Sequence, residues 1–222
     1  MNGLFITGTD TGCGKTHVSA ELILALREHG KRVAPFKPVA AGAVRNGGEW
    51  QNDDALTLIE AAGSDWDYRD VNPYCYEAAV SPHIASRDVN LAVELPEIRR
   101  TARALAARSD CVVAEGAGGW MVPLADHLDI SDVALALELP VILVVGLRLG
   151  CLNHARLSEF AILQSGVRLG GWIASQVDPD MERVAENLET LHDKLRSPCL
   201  GVLPWQGEGQ LQTEQLLALV EN

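Results

Sequence analysis

Cysteine is too scattered in this chain to build anything covalent. The five cysteines, Cys13, Cys75, Cys111, Cys151 and Cys199, are odd in number, and no two form a C-x-x-C pair. That speaks against a disulfide framework or a zinc site and fits reduced thiols in a cytoplasm. His17, His83, His127 and His154 show no paired ligand spacing. Motifs for a serine or cysteine nucleophile are absent. Basic residues are in the minority, 18 Lys and Arg against 30 Asp and Glu, so the formal net charge is -12. An extended basic surface for nucleic acid is therefore not expected. Apolar runs are short: residues 141–145 are typical, far below the ~20 needed to cross a bilayer. The first strand starts almost at the N-terminus and leaves no room for a signal peptide, so the expected location is cytoplasmic. No internal repeat, low-complexity segment or linker breaks the 222 residues. One domain, residues 1–222, is the expectation.

What the chain does have is concentrated in Gly8-Thr-Asp-Thr-Gly-Cys-Gly-Lys-Thr16. An apolar run at residues 4–6 enters it, and a helical pattern (Val18, Leu22, Ile23, Leu26) leaves it. Strand, glycine loop and helix form the context of a phosphate-binding loop. The helix N-terminus leaves N–H groups unpaired and carries partial positive charge, and glycines let the backbone approach an anion. Lys15 can reach the β- and γ-phosphates, and the Thr16 hydroxyl can hold Mg²⁺. The spacing is unusual. Gly8 and Gly14 enclose five residues, not four, and Thr9 takes the usual first-glycine position.

Strand and helix patterns alternate from end to end. Strands are expected at residues 4–7, 32–37, 110–115, 141–146, 169–177 and 199–203. Helices are expected at 15–29, 52–62, 81 onward, 96–108, 131–139, 152–164, 181–196 and 213–220. Residues 41–51 read as a loop, and 72–74 as a turn. This pattern predicts an α/β fold: an open, mostly parallel sheet with helices on both faces. Ligands of such sheets lie beyond the carboxyl ends of the strands. The chemically informative residues gather there: the glycine loop, Lys37, residues 115–119, 146–153, Ser175-Gln176 and Pro204.

Glu115 ends a buried-looking strand, where a phosphate-loop enzyme keeps a carboxylate for Mg²⁺ opposite Thr16. A strand-terminal Glu that caps a helix is the plainer alternative. Asn52 or Asp53 caps the following helix, and one of Asp53 and Asp54 is free to point into the site. Lys37, followed by Pro38 on the same edge as Lys15, is either a solvated lysine or a second cation for the phosphates.

Together with the glycine loop, seven further segments closely resemble the dethiobiotin synthetase family. They are Lys37-Pro-Val-Ala-Ala-Gly42, Asn72-Pro-Tyr74, Ser81-Pro-His83, Val113-Ala-Glu-Gly-Ala-Gly-Gly-Trp120, Pro140-Val-Ile-Leu-Val-Val-Gly146, Leu149-Gly-Cys-Leu-Asn-His154 and Pro204-Trp205. The resemblance implies a phosphate-loop nucleotidase fold and an ATP- and Mg²⁺-dependent cyclo-ligase of biotin synthesis. Its substrates would be 7,8-diaminononanoate, CO₂ and ATP. It also implies a homodimer with sites at the subunit interface.

By the same resemblance, Lys37, Lys15 and Thr11 are catalytic, and Thr16, Asp54 and Glu115 hold the metal. The nucleotide set takes in Gly12, Cys13, Gly14, Lys15, Thr16 and His17, then Asp54, Glu115, Gly116, Ala117 and Gly118. It closes with Ser175, Gln176, Pro204 and Trp205. Thr11, Lys37, Ala41 and Gly118 face the substrate, and Gly150, Cys151, Leu152 and Asn153 take its carboxylate tail in the other subunit. Three positions depart from the family. Ala41 replaces the usual Ser, Ser175-Gln176 replaces an Asn followed by an acidic residue, and the tail after Pro204 matches little. A dimeric ATPase switch would share the loop without synthetase activity, but it needs neither Lys37 nor the 150–153 loop. An amidotransferase-type synthetase needs a further domain for which 222 residues leave no room.

Overall fold

Side chains alternate between two cores along the central strands, as the two-residue period of a strand dictates. In β1 (Gly3–Gly8), Leu4 and Ile6 enter one buried cluster and Phe5 the other. The computed structural model describes residues 1–63, 65–206 and 209–221. Downstream of β1, α1 (Lys15–Glu28) buries Val18, Leu22, Ile23 and Leu26, the i, i+4 stripe of its sequence. It ends where Gly30, at φ 77°, donates to the Arg27 carbonyl.

The chain continues through β2 (Val33–Phe36) and β3 (Val39–Ala41). Where a loop is expected over 41–51, the structure has a hairpin of β4 (Val44–Asn46) and β5 (Glu49–Gln51), paired antiparallel about Gly47-Gly48. Both glycines adopt positive φ, which the tight reversal needs. Then come α2 (Asp53–Ala62), the short α3 (Tyr68–Val71), β6 (Tyr74–Tyr76), α4 (Pro82–Asp88) and α5 (Leu95–Ala106). The 72–74 turn thus runs straight into a strand, which pairs with β3.

Strand β7 (Cys111–Gly119) extends four residues beyond the expected end at Glu115. After β8 (Pro123–Ala125) and β9 (Leu128–Asp129), α6 (Ile130–Leu137) begins one residue before the expected Ser131. Its cap is Asp129, reciprocally paired with Asp132 in a capping box. The apolar β10 (Val141–Leu147) lies wholly buried. It is followed by α7 (Cys151–Gln164), β11 (Leu169–Gln176) and α8 (Val184–Lys194). This last helix is shorter than the expected 181–196, because Arg183 takes a left-handed conformation as its N-cap. The chain ends with β12 (Cys199–Leu203), β13 (Gln210–Leu211) and α9 (Thr213–Val220).

Among the described residues, seven strands form one sheet in the order β13-β12-β11-β10-β1-β7-β2, parallel except for the edge strand β13. Helices α1, α2 and α9 bury Leu22, Leu58 and Leu216 against one face. Helices α5, α6 and α7 bury Ile98, Val133 and Ala155 against the other. The chain leaves β1 for β2 on one side and later returns to β10 on the other. Such a reversal of strand order opens a crevice at the strands' carboxyl ends, and the glycine loop sits in it.

Candidate active site

Gly8 ends β1, and residues 9–14 wrap over the N-terminus of α1. Gly14 is the N-cap, at φ 88° and ψ 20°, and no side chain caps the first turn. Those N–H groups therefore stay available to an anion. Glycine is required at 14 twice over: its φ is left-handed, and an added Cβ would lie 2.2 Å from Ser175 Oγ. Lys15 folds back across the loop, its Nζ donating to the Asp10 carbonyl at 3.0 Å. The loop is braced from β10: Thr9 N–H donates to the Val144 carbonyl at 2.9 Å, and Arg148 pairs with Asp10 at 2.6 Å.

Beneath the loop lies a charged cluster. Glu115, fully buried in β7, accepts on one oxygen, Oε1, from Thr16 Oγ1 at 2.9 Å and from Lys37 Nζ at 2.6 Å. Lys37 Nζ also donates to the Gly116 carbonyl at 3.2 Å and pairs with Asp54 Oδ2 at 3.1 Å. Burial pulls the Lys37 ammonium down, but Glu115 and Asp54 more than offset it and hold its pKa above the ordinary lysine value. For Asp54, partial burial pushes up. The Lys37 charge and hydrogen bond, aided by Thr16 and Lys15, outweigh it and hold the carboxyl below its ordinary value. Among the described residues, the second Glu115 oxygen, Oε2, is buried without a hydrogen-bond partner.

The helix that carries Asp54 is set by Asn52, whose Oδ1 accepts from Asp54 N–H at 3.1 Å and Ala55 N–H at 3.4 Å. Of the two cap candidates, Asn52 therefore takes the role. Asp53 is exposed, while Asp54 turns toward Lys37.

These groups line or underlie one cleft of about 790 Å³, a normal size for a small-ligand site. Thr11, Gly12, Gly14, Lys15, Thr16 and His17 line one side. Lys37, Ala41, Asp54, Ala117, Gly118 and Trp205 line the rest. Cys13 is buried behind the loop, and Gly116 contributes its carbonyl to Lys37. Ser175 is buried against Gly14, outside the cleft lining. Gln176 reaches the turn after Pro204, where its Oε1 accepts from Trp205 N–H at 3.4 Å.

Gly150, Cys151, Leu152 and Asn153 do not line this cleft. Asn153 lines a separate cavity of about 420 Å³ with Arg156, Leu157, Phe160 and Arg196. Sequence reasoning missed an apolar wall of the main cleft: Ala40, Ala79, Val80, Pro82, Val122 and Val177, with Ser81 among them. The Ser81-Pro82 helix start was a signal, but only the pairing of β3 with β6 brings that segment over the loop.

A phosphate-binding loop on a parallel sheet, with two buried-side cations and two carboxylates at one cleft, defines a P-loop nucleotide-dependent enzyme. Residues 2–212 match the family model described as an AAA domain. The chain is 45% identical over 208 residues to the ATP-dependent dethiobiotin synthetase BioD of Xanthomonas campestris pv. campestris strain 8004, covering 94% of this chain and 93% of that protein. It is 47% identical over 204 residues to the same-named protein of Xylella fastidiosa strain 9a5c, covering 92% and 90%. The chain belongs to the ATP-dependent dethiobiotin synthetase family. In fold it is similar to the cell division ATPase MinD of Pyrococcus furiosus, with a TM-score of 0.56 at 18% identity over 93% of this chain and 84% of MinD. It is similar likewise to the signal recognition particle receptor FtsY of Elizabethkingia anophelis, with a TM-score of 0.55 at 13% identity over 99% and 65%.

Proposed function

We propose that this chain, acting as one domain, closes the ureido ring of dethiobiotin from 7,8-diaminononanoate, CO₂ and ATP. One observation carries the reading beyond family membership. A second lysine, Lys37, lies 3% exposed on the cleft that holds Lys15 and Thr16. A nucleotide switch needs no such group, whereas a carbamate attacking a phosphate does. Family membership also sets the switch reading aside.

The chemistry proceeds in three balanced steps. A substrate amine adds to CO₂ and loses a proton, which gives a carbamate. A carbamate oxygen attacks the γ-phosphorus, and ADP departs with the electrons of the broken P–O bond. The second amine attacks the carbamoyl carbon, phosphate leaves, and a proton is lost as the ring closes. Protein groups need only position these partners and stabilise anionic charge. Lys15 and the uncapped first turn of α1 take the phosphates, while Lys37 and Thr11 take the carbamate. The apolar wall of Ala40, Ala79, Val80, Pro82 and Val122 suits the methylene chain. His17, Ala117, Gly118 and Trp205 complete the nucleotide side.

The donor set fits Mg²⁺. Thr16, Asp54 and Glu115 offer only hard oxygens, and the unpartnered Glu115 Oε2 has capacity to accept. Among the described residues, no three His, Cys, Asp or Glu side chains gather into a full cage. That suits an ion bound by one or two carboxylates plus substrate phosphates. When bound, Mg²⁺ supplies charge neutralisation on the phosphoryl oxygens.

The substrate's carboxylate tail is assigned to residues 150–153 of a second copy. Gly150 opens α7 in a left-handed conformation with no side-chain cap, which leaves N–H groups for an anion. Leu157 and Phe160 on α7 are 61% and 64% exposed, an apolar face that a homodimer would cover. No described helix is long and apolar enough to cross a membrane. The five unpaired thiols support a cytoplasmic setting.

The test is incubation with MgATP, bicarbonate and 7,8-diaminononanoate, read by mass for dethiobiotin. ATP hydrolysis without that product would overturn the reading.

A further inference from the structure

A single phenol lies behind the Lys37–Asp54 pair. Tyr68 opens α3, and its hydroxyl is half-buried away from the cleft lining. Its oxygen accepts from the Asn52 backbone N–H at 2.7 Å, and its proton goes to Asn72 Oδ1 at 2.8 Å. Cys75 Sγ, at 3.3 Å, fills the remaining acceptor position with its S–H.

Each partner leads to the active site by one further step. Asn52 caps α2 through Asp54 N–H and also donates its side-chain amide to the Ala41 carbonyl at 3.3 Å. Asn72 donates its amide to the Lys37 carbonyl at 2.6 Å and to the Tyr74 carbonyl at 3.2 Å. The Lys37 N–H, in turn, donates to the Val71 carbonyl at 2.8 Å. The backbones at 37 and 54 are thus tied to one oxygen from behind. Their side chains meet in front, with Nζ and Oδ2 3.1 Å apart. The connections form a closed ring: Tyr68, Asn52, Asp54, Lys37, Asn72 and back to Tyr68. Asn52 and Asn72 are 7% and 3% exposed, while Tyr68 and Asn72 also line a separate pocket of about 310 Å³ on the side away from the cleft.

We propose that Tyr68 is a positioning residue for this reaction: its hydroxyl closes the hydrogen-bonded ring that fixes Lys37 relative to Asp54. The proposal rests on the roles given above to Lys37 and Asp54. A phenylalanine at 68 keeps the ring's bulk but leaves the Asn52 N–H and Asn72 Oδ1 without their shared partner. Lys37 and Asp54 then lose their common reference, while the phosphate loop, which has no hydrogen bond to Tyr68, Asn52 or Asn72, keeps its shape.

The experiment compares wild type, Tyr68→Phe, Lys37→Ala and the double variant in dethiobiotin formation. Tyr68→Phe is expected to lower kcat about tenfold and to move KM for MgATP less than about twofold, since a small misplacement of a reacting group acts on turnover first. In the Lys37→Ala background the same change is expected to have less than a twofold effect, because the group it positions is gone. A merely structural tyrosine would lower the folded fraction equally in both backgrounds, and additive effects would overturn the proposal. Asn72→Asp keeps the acceptor for Tyr68 but loses the donor to Lys37. It should reproduce the kcat loss even if Tyr68→Phe folds poorly, and wild-type turnover in it would overturn the proposal.

A second readout needs no turnover. The Lys37 ammonium, buried and held by two carboxylates, should give a sharp ¹⁵N-detected NMR signal that disappears in Lys37→Ala. Tyr68→Phe should broaden or shift that signal, and an unchanged one would overturn the proposal. If the wild type makes no dethiobiotin, the reading of function fails, while this signal still decides the role of Tyr68.

Discussion

Replacing Lys37 by Met should damage stability and turnover by separable mechanisms. In the folded chain Lys37 Nζ neutralises Glu115, which is 0% exposed, and Asp54, whose side chain is 46% exposed. Removing one partner of a buried ion pair costs about 3–5 kcal/mol, because the other charge stays buried and unpaired. Water reaches Asp54 and screens its share, so the lower end applies, about 3 kcal/mol. For a chain of this size that corresponds to a fall in Tm of about 6–12 °C. Turnover should fall by about 10²-fold or more, the scale for losing one preorganised charge at a phosphoryl centre. Adding Glu115→Gln then removes the orphaned carboxylate. The double variant should regain at least half of the lost Tm and none of the lost turnover. Thermal melts and dethiobiotin assays on the four proteins decide the matter. A double variant no more stable than Lys37→Met would refute the electrostatic account of the cluster. Near-normal turnover in either Lys37 variant would refute its part in the reaction.

Three further outcomes are expected. Glu115→Gln and Asp54→Asn should raise the Mg²⁺ concentration needed for half-maximal activity, and Asp53→Asn should barely change it, because Asn52 provides the cap and Asp53 faces solvent. Equal effects at 53 and 54 would sink the assignment. Mixing Lys37→Ala chains with Asn153→Trp chains should restore activity through one intact composite site. Absence of recovery after proven subunit exchange would place each site within one chain. Ratios of kcat/KM for ATP over GTP, CTP and UTP should lie below about 100-fold, and a larger preference would mean that a paired polar contact reads the base.

How much of this was legible in the sequence depended on how local the cause was. The phosphate loop was readable because glycine, lysine and threonine act there through their own backbone and side chains within nine residues. The parallel sheet was readable because strands buried on both faces must be apolar throughout, as β10 is. The hairpin of β4 and β5 was missed because its strands are mostly exposed and carry no alternation to betray them. Asn52 and Asp53 could not be separated as caps, since each has the chemistry. Only the fold shows that Asp54 N–H and Ala55 N–H both point to Asn52. The ring through Tyr68 was invisible for a different reason. It joins residues 37, 52, 54, 68 and 72 by single hydrogen bonds whose partners tertiary packing selects.

The end of the cleft at which the base is proposed to sit shows why adjacency in a strand misleads. Ser175 and Gln176 are neighbours at the end of β11, yet a strand sends successive side chains to opposite sides. Ser175 lies against Gly14, where its oxygen fills the space a side chain at 14 would need. It therefore shapes the phosphate loop from behind. Gln176 spends its amide on protein groups: its Oε1 accepts from Trp205 N–H, and its Nε2 donates to the Asp178 carbonyl at 3.4 Å. What these two residues present to the cleft is thus indirect, a fixed loop on one side and the turn at Trp205 on the other. Val177 and Trp205 line the cleft at this end, and both offer apolar surface in place of a donor–acceptor pair. An aromatic face accepts any base, because every base has a π-face to stack. With the base stacked there, as the proposed site has it, affinity would come from the triphosphate contacts and ring burial, which all four nucleotides share, and the expected result is weak discrimination among them.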